Sequence, residues 1–98
     1  MRIFAHSTLK TFYTANPKAE KPLQIWYKIA QKAQWSCFAD IKKDFNNVDS
    51  VGNERYVFNI KGNDYRLVVI VRFSLGRIFI RFVGTHAEYD TIKDIQNI

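Results

Sequence analysis

The chain has 98 residues, with 15 Lys and Arg against 9 Asp and Glu, 47% apolar residues and 15% aromatics. That length supports one modest core, the apolar and aromatic content excludes a disordered tail, and a longest apolar run of five residues, Leu67–Val71, excludes a membrane-spanning helix. A net charge of +6 points first to a polyanionic partner, usually nucleic acid, while the lone Cys37 excludes an internal disulfide and fits a reducing compartment.

In chain order, residues 1–5 are β-prone and suit an edge strand; they lack the long apolar region of a signal peptide, so a soluble, cytoplasmic domain spanning 1–98 is expected. Leu9, Phe12 and Tyr13 follow a helical face from Ser7 to about Ala15, and Asn16-Pro17 interrupts it. Pro22 suits the first turn of a second helix that should run to about Gln34, with Leu23, Trp26, Tyr27, Ala30 and Ala33 on one stripe. Residues 36–54 are mixed: Phe38, Ile41 and Phe45 make an amphipathic turn or two, and Asn46-Asn47 and Gly52-Asn53 read as loop. Cys37 reads as a small buried hydrophobe, and Trp26 and Trp35 as core.

The period then changes from 3.6 to 2. Arg55–Ile60, Tyr65–Phe73 and Arg77–Val83 alternate as strands do, joined by the glycine-containing links 61–64 and 74–77. Thr85-His86-Ala87-Glu88 matches a capping box and predicts a short helix from about His86, anchored by Ile92 and Ile95. The expected class is α+β: N-terminal helices packed on an antiparallel meander, with a short C-terminal helix.

Pairing Ile60 with Tyr65 and Phe73 with Ile78 places Phe58 opposite Leu67, Val71 opposite Ile80 and Val69 opposite Phe82. All of these share one apolar side that should receive the helices. The other side is then an open face. Arg66 stands on it between Asn59 and Thr85, with Lys61 and His86 just beyond and Arg81 nearer the centre. Tyr89, three residues after His86, can point back over Arg66. Cations that hold a phosphate beside a His and a Tyr able to move protons suit phosphodiester chemistry. No metal-ligand cluster, P-loop or serine triad competes, and no cofactor is called for. Taken one at a time these residues have plainer readings: Arg66 as a solvated surface charge, Glu88 as the capping partner, Tyr89 as packing. Arg72 and Arg77 lie at the far end and read as general electrostatic footprint for RNA.

The segments Tyr56-Val57-Phe58-Asn59-Ile60-Lys61-Gly62-Asn63-Asp64-Tyr65-Arg66-Leu67-Val68 and Ile80-Arg81-Phe82-Val83-Gly84-Thr85-His86-Ala87-Glu88-Tyr89-Asp90 resemble the HigB toxin family. These are small RelE-like mRNA interferases of type II toxin–antitoxin modules. The resemblance implies a RelE-like fold, ribosome-dependent cleavage of mRNA in the ribosomal A site, and neutralisation by a HigA-type helix-turn-helix antitoxin. It puts Arg66 in the place of a functional arginine, and His86 and Tyr89 where the superfamily carries basic and tyrosine residues. The expected chemistry is metal-free attack of a 2′-hydroxyl on the adjacent phosphate. Arg66 and Lys61 would stabilise charge, and Tyr89 or His86 would transfer protons, the tyrosine with its pKa drawn down by neighbouring cations. Asn59, Arg81, Arg72 and Arg77 would contact RNA. The alternatives are a non-catalytic RNA- or ribosome-binding module using the same face, and an interaction domain covered by an acidic partner.

Overall fold

A computed structural model describes residues 1–98. The chain opens with β1 (Arg2–Phe4), then α1 (His6–Ala15), a 3-10 turn over Pro17–Ala19, and α2 (Glu20–Lys32). The Asn16 side chain and backbone N–H both donate to Phe12 O, closing the end of α1 before Pro17 removes a donor. Pro22 falls in the first turn of α2, and Leu23, Trp26 and Ala30 are buried, as the stripe predicts. Then comes α3 (Phe38–Asp44), on which Ile41 is buried. Cys37, expected to be buried, is exposed, because it is the extended residue that leads into α3. No helix is long and apolar enough to cross a membrane.

Five strands form one sheet in the order β1-β5-β4-β3-β2, where β2 is Val48–Gly52, β3 Arg55–Ile60, β4 Tyr65–Arg72 and β5 Arg77–Thr85. β1 lies parallel to β5, and every other pair is antiparallel. β2 occupies residues read from sequence as mixed or loop. As an edge strand it buries only Val48 and exposes Asp49 and Ser50, so it carries little of the period-2 signal of a half-buried strand.

The β3–β4 register is the one expected: Tyr56 pairs with Val69, Phe58 with Leu67 and Ile60 with Tyr65. The β4–β5 register is not. Phe73–Leu75 form a 3-10 turn that ends at Gly76 (φ 63°), so β4 stops at Arg72 and Arg72 pairs with Arg77. Val71 therefore faces Ile78, and Val69 faces Ile80. A bulge at Val68/Val69 then inserts Arg81 and reverses the facing of the remaining β5 residues. Val83, opposite Leu67, turns to the helix side and packs on the core. Phe82, opposite Val68, turns to the other side, and Gly84 rather than Thr85 stands opposite Arg66.

The helix-facing side carries the main core, including Trp26, Phe58, Leu67, Val71 and Ile78. The Phe58 ring packs edge-on against both Trp26 and Phe45, so truncating it to Ala would cost about 3–5 kcal/mol. The second side is less open than expected. Val57, Val68 and Ile70 lie on it and are buried, although none belongs to the main cluster. The chain after α4 (His86–Asp90) returns across this side and docks a 3-10 turn, Ile95–Asn97, against the β2–β3 hairpin. Gln96 Nε2 donates to Val51 O (2.8 Å), Asn53 Nδ2 to Gln96 O (2.9 Å), and Arg55 Nη2 to Ile98 O (2.8 Å). Ile92 and Ile95 thus lie beyond α4, half-buried in this returning segment, rather than on the helix itself.

Candidate active site

Arg66 is the one buried charged residue, 9% exposed. Its Nη1 donates to Asn63 O (3.2 Å) and Tyr65 O (3.3 Å), and no carboxylate pairs with it. Buried charges are ordinarily paired, because an isolated one loses solvation without compensation. Nη2 and Nε make no hydrogen bond within the protein, so the fork keeps donors for an external anion. Gly84, opposite Arg66, adds no side chain to fill the space beside it. A Cβ on Gly84 would come within 2.6 Å of the Phe82 ring and 3.1 Å of Glu88 Oε1, so this position accepts only glycine without rearrangement.

α4 delivers the other groups. Its capping box is complete: Thr85 Oγ1 accepts from the Glu88 N–H, and Glu88 Oε1 accepts from the Thr85 N–H. The His86 N–H donates to Asp64 O, tying the helix start to the β3–β4 turn. That geometry brings the Tyr89 ring to 5.9 Å from the Arg66 guanidinium carbon and 6.5 Å from the Phe82 ring. Burial pushes the Tyr89 phenol above the ordinary tyrosine range; Arg66 pulls it down, while Asp49 and Asp90 add to the rise. The expected lowering by cations is therefore reversed, because desolvation outweighs the single guanidinium.

His86 Nδ1 lies 2.8 Å from Asp90 Oδ2, one helical turn on. This bond leaves Nε2 as the ring nitrogen without a partner in the protein. Lys61 sits at the same end of the sheet in a left-handed conformation (φ 52°), but its ammonium contacts Asp64 (3.0 Å), whose hydrogen bond and charge raise the lysine pKa. No hydrogen bond or ion pair joins Lys61 to Arg66 or Tyr89, and it borders a cleft of about 300 Å³ with Pro22 and Phe45 of the helix side. Asn59 is the cross-strand neighbour of Arg66, half-buried. Arg81 is exposed at the bulge, and Arg72 and Arg77 pair across the opposite end of the sheet.

The structure thus joins Arg66 to Tyr89, sets Asn59 and His86 at the same end, holds Lys61 aside on Asp64, leaves Arg81 at the bulge nearer the middle, and keeps Arg72 and Arg77 at the opposite end. Three contributors were not read from sequence. Asp90 was available as the i+4 partner of His86. Asp49 acts on Tyr89 from β2, a strand that the sequence barely signals, and Gly84 depends on the bulge. No group of three His, Cys, Asp or Glu side chains converges anywhere to hold a metal ion. Chemically, the site offers a guanidinium with free donors, a protonated phenol and an imidazole held through Nδ1.

Residues 19–92 match the family model for the HigB toxin, described as the RelE-like toxic component of a toxin–antitoxin system. The chain is 24% identical over 94 residues to the mRNA interferase HigB of Escherichia coli O6:H1 (strain CFT073), covering 94% of this chain and 91% of that one. It is 29% identical over 92 residues to the mRNA interferase toxin HigB of Escherichia coli K12 and to the mRNA interferase HigB of Shigella flexneri, covering 92% of this chain and 88% of each. With the family model spanning most of its length and an α+β fold of the RelE-like kind, the chain belongs to the HigB family of toxin–antitoxin toxins.

Proposed function

We propose that this chain is a ribosome-dependent mRNA endoribonuclease that cuts by attack of a 2′-hydroxyl on the adjacent phosphate. The observation that carries this reading is Arg66: buried, without a carboxylate, beside Tyr89, and with its remaining donors unused within the protein. In the proposed reaction His86 Nε2, its ring held by Asp90, takes the 2′-hydroxyl proton. O2′ then bonds to phosphorus, and the bond to O5′ breaks. Tyr89, kept protonated near neutrality by burial, gives its proton to O5′. The products are a 2′,3′-cyclic phosphate and a 5′-hydroxyl, with no metal ion in the step. Arg66 stabilises the extra negative charge on the five-coordinate phosphorus, while Lys61 adds positive potential from the turn and Asn59 contacts the RNA.

The A site of a translating ribosome in the cytoplasm supplies the mRNA, and a HigA-type helix-turn-helix antitoxin is the proposed neutralising partner. The test maps mRNA 5′ ends in a translating extract for the native chain and Arg66→Ala. Discrete translation-dependent cuts that vanish in the variant support the reading, as does their persistence in EDTA once ribosome integrity is controlled. Uncut mRNA from folded, antitoxin-free protein overturns it in favour of a binding module.

A further inference from the structure

At the end of the sheet away from Arg66, three arginines stand in one cross-strand row. Arg2 pairs with Arg77, and Arg77 pairs with Arg72, on β1, β5 and β4. Like charges directly opposite destabilise a sheet, so such a row calls for compensation. Only Arg72 finds a carboxylate, Glu54 at 3.4 Å; Arg2 and Arg77 have none and are exposed. Two residues along, Phe4 pairs with Phe79, and their half-buried rings stack with centroids 5.0 Å apart at 14°. The Arg2 and Arg77 guanidinium carbons lie 5.2 and 6.0 Å from the Phe4 ring centroid. Strand alternation puts all five residues on the same face as Arg66.

We propose that this arginine row and the Phe4–Phe79 stack form a second RNA contact, which grips phosphates with Arg2 and Arg77 and continues the ring stack with an unpaired base. Arg72 is six residues from Arg66 along β4, which places the contact roughly 20 Å away. Guanidinium charge beside an aromatic stack is the chemistry of single-stranded nucleic acid, whereas an acidic protein would use the charge and leave the stack idle. The strand could be flanking mRNA or ribosomal RNA, which offer the same phosphates and bases. This inference rests on reading the Arg66 end as an RNA-cleaving site.

The test measures fluorescence anisotropy of a labelled, 2′-O-methylated single-stranded oligonucleotide, which no 2′-hydroxyl mechanism can cut. Arg2→Gln/Arg77→Gln should weaken binding about tenfold or more and reduce the slope of log affinity against log salt by about 1.4, two phosphates at about 0.7 each. Phe79→Leu should weaken it by roughly fivefold or more with the slope unchanged. Arg2→Lys/Arg77→Lys, which keeps the charge, should keep the slope. Unchanged affinity and slope in the Gln pair overturn the proposal, and so does an equal loss of binding to polyglutamate. Cosedimentation with ribosomes free of mRNA separates the sources: a loss there in the Gln pair assigns ribosomal RNA, and a loss confined to the oligonucleotide assigns mRNA. Because the methylated strand is cut by no variant, failure of the native chain to cleave leaves this comparison readable.

Discussion

Replacing Arg66 by alanine removes the guanidinium and both of its carbonyl contacts while keeping the strand. Two lost hydrogen bonds cost about 0.5–1.5 kcal/mol each, and the removed desolvation of an unpaired buried charge offsets part of that. The net change in stability should stay within about 2 kcal/mol, or roughly 8–16 °C in Tm for a chain of this size. Activity should fall far more. Losing one preorganised donor to a developing anion typically costs about 10²–10³ in rate, roughly 2.7–4 kcal/mol, and Arg66 has unused donors on two nitrogens. Arg66→Lys keeps the charge but loses the fork, and should recover only part of the rate. The assay is single-turnover cleavage on programmed ribosomes, below the Tm of every variant. Cleavage by Arg66→Ala within threefold of the native rate would refute the reasoning, because a guanidinium that holds the reacting phosphate cannot be that dispensable.

Tyr89→Phe removes the proposed acid but keeps the ring on Arg66, so cleavage should drop about 10²–10⁴-fold with little change in Tm; native kinetics in the variant would remove Tyr89 from the chemistry. Tyr56 and Tyr89 both have pKa values raised by burial, so the native state resists their ionisation. Their contribution to stability is complete below the unfolded value of about 10 and is lost as pH rises past it, so Tm should fall above about pH 10, and less steeply in Tyr89→Phe. Asp90→Asn should slow cleavage about tenfold without altering RNA affinity if it orients His86, as measured by single-turnover rate against anisotropy. Gly84→Ala drives a methyl into the Phe82 ring and the capping carboxylate, so it should cost about 1–3 kcal/mol in denaturant unfolding and also slow cleavage by shifting α4.

How much of the fold was legible depended on where the signal was local. The β3–β4 hairpin could be paired residue by residue, because its four-residue link and strict alternation admit one register. The capping box at Thr85 and Glu88 likewise fixed the start of α4 to the residue. The β4–β5 pairing failed because Phe73, apolar and β-prone, left the strand for a 3-10 turn, and because a bulge leaves no mark in hydrophobic periodicity. Those two events move Phe82 to the second side and replace Thr85 by Gly84 opposite Arg66. The residues brought to this end are still identifiable from sequence, since Arg66 precedes the bulge along β4 and its place is fixed by the β3–β4 hairpin. The electrostatics of Tyr89 are not, because they combine burial, which only the tertiary structure sets, with the charge of Asp49 on β2, a strand the sequence barely signals.

That returning segment links folding to the site. Val57, Val68 and Ile70 would leave an apolar strip in water if the second side were bare, so some segment must cross it. Reaching the β2–β3 hairpin from the end of β5 requires the chain to turn back just past Gly84, and α4 is that turn. The same turn brings Tyr89 against Arg66 and sets His86 at that end of the sheet, tied to Asp64 O. A buried Arg66 without a carboxylate has no folding rationale: an apolar residue would pack at lower cost. A charge kept under those conditions is useful only when an anion arrives from outside. The second side thus carries a candidate RNA contact at each end, Arg66 at one and the arginine row at the other.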